Sequence, residues 1–352
     1  MPNTEHMPTG SDVLGIPIPF IAHAISVSLP TWDDNVAYVE RDQRVLAGIC
    51  ETKFGQPGEK CFLFPSAYTA DAFHQFMINH PSVPPSPIPV RIVEYAISAK
   101  GEDPLALHIA LFQADAFSLG KEFWQHTGLG ISSRFASTAL NLLAQNSEYT
   151  QTHKPQHGSK SENTDKPHVC KGDATLAKAT LRQRIAGMII EDSPPTPEIQ
   201  GTAVSEDDVF LFPTGMAAIW TSYQLLLAAR PQLMSACFGF SYTDTLKILG
   251  KWGPGYHFFA EGTDDEIDTL EWILQSKSIS VLYTESPSNP LLRSVNLPRL
   301  RKLADQHNFV IVVDATIGTF SNIQVLPYAD IVITSLSGYF SGKANVTGEV
   351  WS

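Results

Sequence analysis

The chain has 352 residues, of which 43% are hydrophobic and 17% charged. This composition is typical of a globular protein with a sizeable core, and it excludes collagen-like, coiled-coil and wholly disordered chains. The formal net charge of −12 argues against nucleic acid or an anionic membrane as the main partner, because both need a basic surface. At roughly 150 residues per domain, the length predicts about two domains.

Targeting and metal-binding signals are absent from the sequence. The four cysteines lie far apart without a C-x-x-C pair, so neither a zinc site nor a disulfide framework is predicted. The N-terminus has no basic segment before an apolar one, and residues 14–29 are too few and too polar to span a membrane. We therefore expect a soluble cytoplasmic protein with no metal site.

One change in composition divides the chain. Residues 147–173 contain almost no apolar side chains and predict a polar linker. It separates an N-terminal α+β extension, residues 1–146, from a C-terminal domain, residues 174–352. Three histidines and a cysteine in or beside this segment are more typical of a solvated linker than of a metal cluster: His153, His157, His168 and Cys170.

The N-terminal extension predicts a mixture of strands and helices. Residues 90–97 and 105–113 favour two strands that flank a turn. Helical patterns occur near residues 33–50, 67–78 and 133–146. Gly128 and Gly130 lack a third glycine at the required spacing and a preceding strand, so no dinucleotide site is predicted.

In the C-terminal domain, short apolar strands alternate with amphipathic helices. Strands are predicted at residues 209–212, 235–238, 256–260, 279–284, 309–313 and 330–334. Helices are predicted from Met216, near 243–250, from Thr263 or Asp264, and over 298–306. Such alternation predicts an α/β fold with a mostly parallel sheet, in which ligands bind beyond the carboxyl ends of the strands.

Four strand ends carry informative residues. Residues 213–216 form a turn that feeds a helix N-terminus, which suits either a phosphate or a simple glycine turn. Residues 285–290 form a rigid turn that turn chemistry alone explains. Asp314 follows a buried strand and needs a partner, because an isolated buried carboxylate is costly. Residues 335–342 are rich in hydroxyls and glycine.

Together these strand ends resemble a known set of motifs. The segments TGMAA at 214–218, ESPSNPLL at 285–292, VDAT at 313–316 and SLSGYFSG at 335–342 match, in this order, the Cys/Met-metabolism (trans-sulfuration) family of pyridoxal-phosphate enzymes. Segments 24–32, 124–134 and 211–216 resemble the fungal cystathionine γ-synthase branch. The resemblance implies the aspartate-aminotransferase type of α/β fold (fold type I).

The resemblance also implies where the cofactor phosphate is held. The backbone N–H groups of Gly215 and Met216 are expected to bind it, and the hydroxyls of Ser335 and Ser337 to close the phosphate cup.

Other residues are expected around the cofactor ring. By resemblance, Asp314 holds the pyridine nitrogen protonated, so that the ring can act as an electron sink, and Asn289 hydrogen-bonds the phenolic oxygen. Phe238 stands where the family usually has a tyrosine stacked on the ring. It retains the apolar ring face and lacks the hydroxyl.

The largest departure from the family is at residue 338. The family has a lysine there that forms the Schiff base and moves the α-proton, whereas this chain reads Ser335-Leu336-Ser337-Gly338. Glycine has no amine, so any cofactor is expected to be bound non-covalently. Lys343 lies further along and would need a remodelled loop to reach the same point.

Two further departures concern the remainder of the site. The family's Tyr-x-Arg segment has no match in the polar linker, and Arg182 and Arg184 follow in a different context. The family's small C-terminal domain, which supplies the arginine for the substrate carboxylate, is also unmatched. The C-terminal domain of this chain is therefore expected to be incomplete.

Three functional hypotheses follow. The first is a degenerate cystathionine γ-synthase homologue that lacks the standard γ-replacement of O-acylhomoserine by cysteine and serves as an auxiliary protein of a fungal biosynthetic pathway. The second is an active enzyme, either with Lys343 recruited or with Gly338 and the early stop being artefacts of gene prediction. The third is a regulatory partner of an intact relative. The expected partners are a second copy or such a relative, and an amino-acid substrate if the protein is active.

Overall fold

A computed structural model describes residues 21–25, 29–80, 88–98, 104–145, 148–152, 171–191, 204–337 and 348–351. Within these residues, none of the helices combines the length and apolar character that crossing a membrane requires. The division into an extension, a linker and a C-terminal domain stays a prediction.

The N-terminal extension is built on a four-stranded antiparallel sheet with strand order β1-β3-β2-β4. Its elements in chain order are α1 Trp32–Val39, α2 Arg41–Phe54, β1 Glu59–Phe64, α3 Ala67–Asn79, β2 Arg91–Ser98, β3 Leu105–Gln113, α4 Phe117–Thr127, α5 Ser133–Ala144 and β4 Glu148–Thr152.

Helices cover both faces of this sheet. Strand β3 alternates its side chains between two apolar clusters, with Ile109 packed among residues of α2 and α5, and Phe112 among residues of α3 and α4. Side-chain caps fix where two of these helices begin, since Ser66 accepts a hydrogen bond from the Thr69 N–H and Ser132 from the Phe135 N–H. The extension therefore has a core of its own.

The strands predicted at 90–97 and 105–113 and the helices near 33–50, 67–78 and 133–146 are confirmed. Strand β1 and helix α4 were not predicted. The segment predicted as a linker contains strand β4, which pairs with β2, and the first residues of a helix that begins at Lys171. The pairing of its backbone with β2 accounts for strand β4 in a segment that is polar in sequence. Residues 153–170 lie outside the described residues, as do the histidines and Cys170 among them.

The C-terminal part forms a seven-stranded sheet with helices on both faces. Its elements are α6 Lys171–Glu191, β5 Phe210–Phe212, α7 Gly215–Ala229, β6 Met234–Phe238, α8 Thr243–Lys251, β7 Tyr256–Phe259, α9 Asp264–Leu274, β8 Ile279–Glu285, α10 Leu297–His307, β9 Val310–Asp314, α11 Thr319–Asn322, β10 Ile331–Ser335 and β11 Glu349–Trp351.

The strand order is β5-β11-β10-β9-β8-β6-β7. Strands β7, β6, β8, β9 and β10 are parallel, and β11 is antiparallel to both β10 and β5. The expected α/β fold with a mostly parallel sheet is confirmed.

Both faces of the central strands are buried, as parallel sheets require. In β6, Phe238 packs among residues of α9 and α10, whereas Cys237 faces α7 and α8. The same alternation holds in β9, where Ile311 and Val312 face opposite sides. These two layers of helices leave the carboxyl edge of the sheet as the place where loops from different strands meet.

Candidate functional site

A cavity of about 350 Å³ lies at the carboxyl edge of the sheet, beyond the ends of β5, β8, β9 and β10. The alternation of strands and helices in the sequence predicts that ligands bind at this edge. The lining residues come from the last residues of β8, β9 and β10, from the loops that follow β5, β6, β8 and β9, and from the first turns of α7. They are Thr214, Gly215, Met216, Ile219, Tyr242, Glu285, Pro287, Asn289, Asp314, Thr316, Ile317 and Ser335.

One wall of the cavity is the N-terminus of α7. Thr214 is the N-cap residue, and its Oγ1 accepts a hydrogen bond from the Ala217 N–H at 3.1 Å. Gly215 and Met216 are the first two residues of this 15-residue helix. The N–H groups of a first turn have no acceptor inside the helix and lie at the positive end of its dipole, so this wall suits a phosphate.

Two carboxyl groups also line the cavity. Glu285 ends β8 and Asp314 ends β9, and the two residues are directly paired in the parallel register. The Asp314 side chain lines the cavity and is partly buried, and this burial raises the pKa of its carboxyl. The N–H of Thr316 donates to Asp314 Oδ1 at 2.9 Å and partly opposes the shift.

Glu285 is held by backbone donors on both sides. Its Oε1 accepts from the Tyr242 N–H at 2.5 Å and its Oε2 from the Asn289 N–H at 3.4 Å. Burial raises the pKa of Glu285 to about 7, with a further contribution from the charge of Asp314. Both protonation states of this carboxyl are therefore populated at neutral pH.

The structure brings together five of the seven residues expected to bind the cofactor. These five residues are Gly215, Met216, Asn289, Asp314 and Ser335. The amide of Ser335 donates to Thr316 Oγ1 at 3.0 Å, which ties the end of β10 to the turn after β9.

Ser337 and Phe238 do not line the cavity. Ser337 Oγ accepts from the Gly348 N–H at 3.2 Å, so this hydroxyl is bonded to backbone near β11. The Phe238 ring is fully buried, with its centroid 5.4 Å from that of Phe259. Because alternate side chains of a strand face opposite sides, the end of β6 directs Phe238 into the core.

Two residues that the sequence did not single out as site residues line the cavity prominently. Tyr242 is half-exposed there, four residues beyond Phe238. Glu285 was explained by turn chemistry, and its pairing with Asp314 becomes visible only with the strand register. Cys237 is a buried small side chain, as expected, and its burial raises the pKa of the thiol to about 12.

No group of three or more potential metal ligands occurs within the part of the chain that the structure describes. Gly338 and Lys343 lie outside that part, and so does most of the loop that contains them.

The comparisons with known proteins agree with these motifs. Residues 43–132 match the family described as the fungal trans-sulfuration enzyme, N-terminal domain, and residues 201–351 match the Cys/Met metabolism PLP-dependent enzyme family, where PLP is pyridoxal phosphate. The cystathionine gamma-synthase of Neurospora crassa is 32% identical in an alignment that covers 95% of this chain and 70% of that protein. The chain belongs to the Cys/Met-metabolism family of PLP-dependent enzymes.

Within this family the chain is also similar to the cystathionine gamma-synthase-like enzyme iboG2 of Amanita muscaria, with 40% identity over 95% of this chain. The chain spans 65% of the length of that relative. Among solved structures, metB from Corynebacterium glutamicum is 23% identical to this chain and has a TM-score of 0.35. The superposition covers 41% of this chain and 37% of the metB chain. The enzymes of this family depend on PLP.

Proposed function

We propose that the protein binds PLP non-covalently in the cavity at the sheet edge, as a cystathionine γ-synthase-like homologue without the standard γ-replacement of O-acylhomoserine by cysteine. We place it as an auxiliary protein of a fungal biosynthetic pathway. The observation that carries the binding proposal is that a helix N-terminus and the carboxyl of Asp314 line one and the same cavity.

The residues of the cavity fit this cofactor. A volume of about 350 Å³ falls within the range of roughly 300–1,000 Å³ that small-molecule sites occupy. The amides of Gly215 and Met216 and the dipole of α7 supply attraction for a phosphate dianion. Asn289 also lines the cavity, and its side-chain amide would bind a polar group of the ring.

Asp314 is suited to bind the ring nitrogen. Its raised pKa means that the carboxyl retains a proton more readily than an exposed aspartate does. It can transfer this proton from Oδ to the pyridine nitrogen and then remain as the counter-ion. When bound, PLP with a protonated ring supplies an electron sink for carbanions on an amino acid.

The sequence at residue 338 carries the second half of the proposal. A glycine there offers no amine for a covalent bond to the cofactor and no base for moving the α-proton. Glu285, with a pKa of about 7, is a group of this cavity that can hold a proton at neutral pH. Its carboxylate cannot form a Schiff base, so it does not replace the lysine.

Borohydride reduction in the presence of PLP, followed by peptide mass spectrometry, tests the proposal. Wild-type protein is expected to show quenching of its tryptophan fluorescence on binding PLP and yet to yield no pyridoxyl peptide from the cavity or from Lys343. The variant Gly338→Lys is the matched positive control and is expected to gain a pyridoxyl group at residue 338. A pyridoxyl-Lys343 peptide from the wild type, or no binding of PLP at all, would overturn it.

The same proposal extends to partners and location. We place the protein in the cytoplasm, as a homo-oligomer or as a hetero-oligomer with an intact relative. Co-expression with a full-length relative and affinity purification of one tagged chain tests the assembly, and fluorescence microscopy of a tagged chain tests the location. Exclusive recovery of monomers would refute the proposed assembly.

A further inference from the structure

The N-terminal extension touches the candidate phosphate site directly. Helix α4 ends at Thr127 and is followed by its C-cap residue Gly128, whose carbonyl accepts a hydrogen bond from Thr214 Oγ1 at 3.4 Å. Thr214 Oγ1 also accepts a hydrogen bond from the Ala217 N–H at 3.1 Å. A hydroxyl has one proton to donate and lone pairs to accept, so Thr214 bonds the extension and caps α7 at once.

The fit between the two parts at this point requires a glycine. Gly128 has a φ of +58°, a left-handed conformation that costs glycine least. A Cβ added there would overlap Thr214 Oγ1 and would lie 3.1 Å from the amide nitrogen of Ala217 and 3.2 Å from Met216 Cβ. A larger residue at 128 must therefore push Thr214 away or change the end of α4.

Side-chain bonds hold α4 in register on α8. Gln125 Nε2 donates to Asp244 Oδ2 at 3.0 Å, and Asp244 is 5% exposed. The other carboxylate oxygen of Asp244 accepts from Lys247 Nζ at 2.6 Å. A buried carboxylate with two such partners is costly to disturb, so it fixes the position of the last turn of α4.

Two further side-chain contacts join α4 to the end of α8. Trp252 Nε1 donates to His126 Nδ1 at 3.3 Å, and His126 is 3% exposed. Lys251 Nζ pairs with Glu122 Oε2 at 2.6 Å. The contact at Gly128 is thus the end of an ordered interface that runs along α4 and leads to the candidate phosphate site.

We propose that the N-terminal extension positions the phosphate-binding end of α7, and that Gly128 is the positioning residue through which it acts. Docking of α4 holds Thr214 in place, and Thr214 sets the first turn of α7, whose amides bind the phosphate monoester. The phosphate part of this inference depends on the proposed cofactor binding, whereas the positioning of α7 does not.

The test compares Gly128→Ala with Gly130→Ala. A Cβ at Gly130 would overlap Trp124, which belongs to the extension, and no atom of the C-terminal part is among its nearest neighbours. The two variants therefore separate loss of positioning from general damage to the extension. Gln125→Ala, which loosens α4 without adding an atom, provides a milder second perturbation if Gly128→Ala does not fold.

Two measurements are made on the full chain. The first is hydrogen exchange, without cofactor, at the amides of Ala217 and Ala218, which are bonded to Thr214. Gly128→Ala is expected to speed this exchange roughly five- to tenfold, the effect of losing an N-cap. Gly130→Ala is expected to leave it unchanged, and Gln125→Ala to change it in the same direction by less.

The second measurement is the ratio of affinities for PLP and for pyridoxal, which lacks the phosphate. Gly128→Ala is expected to lower this ratio roughly five- to tenfold, with the affinity for pyridoxal unaffected. Equal effects of Gly128→Ala and Gly130→Ala, or unchanged exchange at Ala217 in Gly128→Ala, would overturn the inference. A wild type that prefers neither ligand would instead refute the cofactor proposal, and the exchange result would still decide the role of Gly128.

Discussion

Replacing Glu285 by glutamine is expected to change how the stability of the protein depends on pH. In the folded protein the pKa of Glu285 is raised from 4.5 to about 7, because the carboxyl is buried and lies beside Asp314. The folded state therefore holds a proton that the unfolded state has already released. The free energy of unfolding is highest below the unfolded pKa and falls as the pH rises through about 7.

The size of this effect follows from the shift. At about 1.4 kcal/mol per unit of pKa, the full shift corresponds to about 3 kcal/mol. Glu285 lines both the candidate cofactor cavity and a neighbouring cavity of about 510 Å³, so solvent reaches part of the carboxyl. Solvent screening reduces the expected loss of unfolding free energy to about 1–2 kcal/mol.

Urea unfolding at about pH 5 and about pH 8 measures the effect for the wild type, Glu285→Gln and the control Glu261→Gln. Glutamine retains an oxygen that can accept from the Tyr242 N–H, and the cost of its NH₂ beside the Asn289 N–H is the same at both pH values. The wild type is expected to lose unfolding free energy between the lower and the higher pH, whereas Glu285→Gln keeps it. The difference in unfolding free energy between the variant and the wild type should therefore rise in favour of the variant by about 1–2 kcal/mol. If Glu285→Gln and the wild type differ in unfolding free energy by the same amount at both pH values, the raised pKa of Glu285 is refuted.

Three further substitutions test other parts of the structure. Asp314→Asn is expected to weaken PLP binding about 10- to 100-fold, because a charge-assisted hydrogen bond is lost, and an unchanged affinity in a fluorescence titration would contradict its role. Thr214→Val is expected to lower the free energy of unfolding by about 1 kcal/mol through loss of the N-cap, with Thr214→Ser as the conservative control in the same urea titration. Leu270→Ala removes a fully buried side chain of α9 and is expected to cost about 2–5 kcal/mol. Trp272→Ala, on the exposed side of the same helix, is expected to cost far less by the same measurement, and equal losses would contradict the assigned core.

Most of the C-terminal sheet was predictable because its strands are short apolar runs between turns. Strands β8 and β9 lie within one residue of their predicted bounds, since both faces are buried and the runs end abruptly at Glu285 and Asp314. Strand β11 was not predicted. Its three residues carry no period of their own and are ordered by pairing with β10 and with β5, the latter far away in the chain.

The site was predictable where function depends on backbone position. The turn at Thr214 and the carboxyl of Asp314 follow directly from strand ends, and both line the cavity. The position of Phe238 was expected from a motif, but the direction of a side chain at a strand end depends on the packing of the neighbouring strands. Glu285 was missed because its relation to Asp314 exists only across the register of β8 and β9.

Strand β5 is bonded in the sheet only to β11 among the described strands, with Phe210 opposite Trp351. During synthesis, β5 leaves the ribosome long before its partner exists. At about 5–20 residues per second, it waits on the order of ten seconds without a neighbour on either side. Thr214 and the start of α7 follow β5 directly, so the cavity closes late in folding. Newly made chains therefore expose the unpaired edge of β5 during this interval, until β11 is translated and pairs with it.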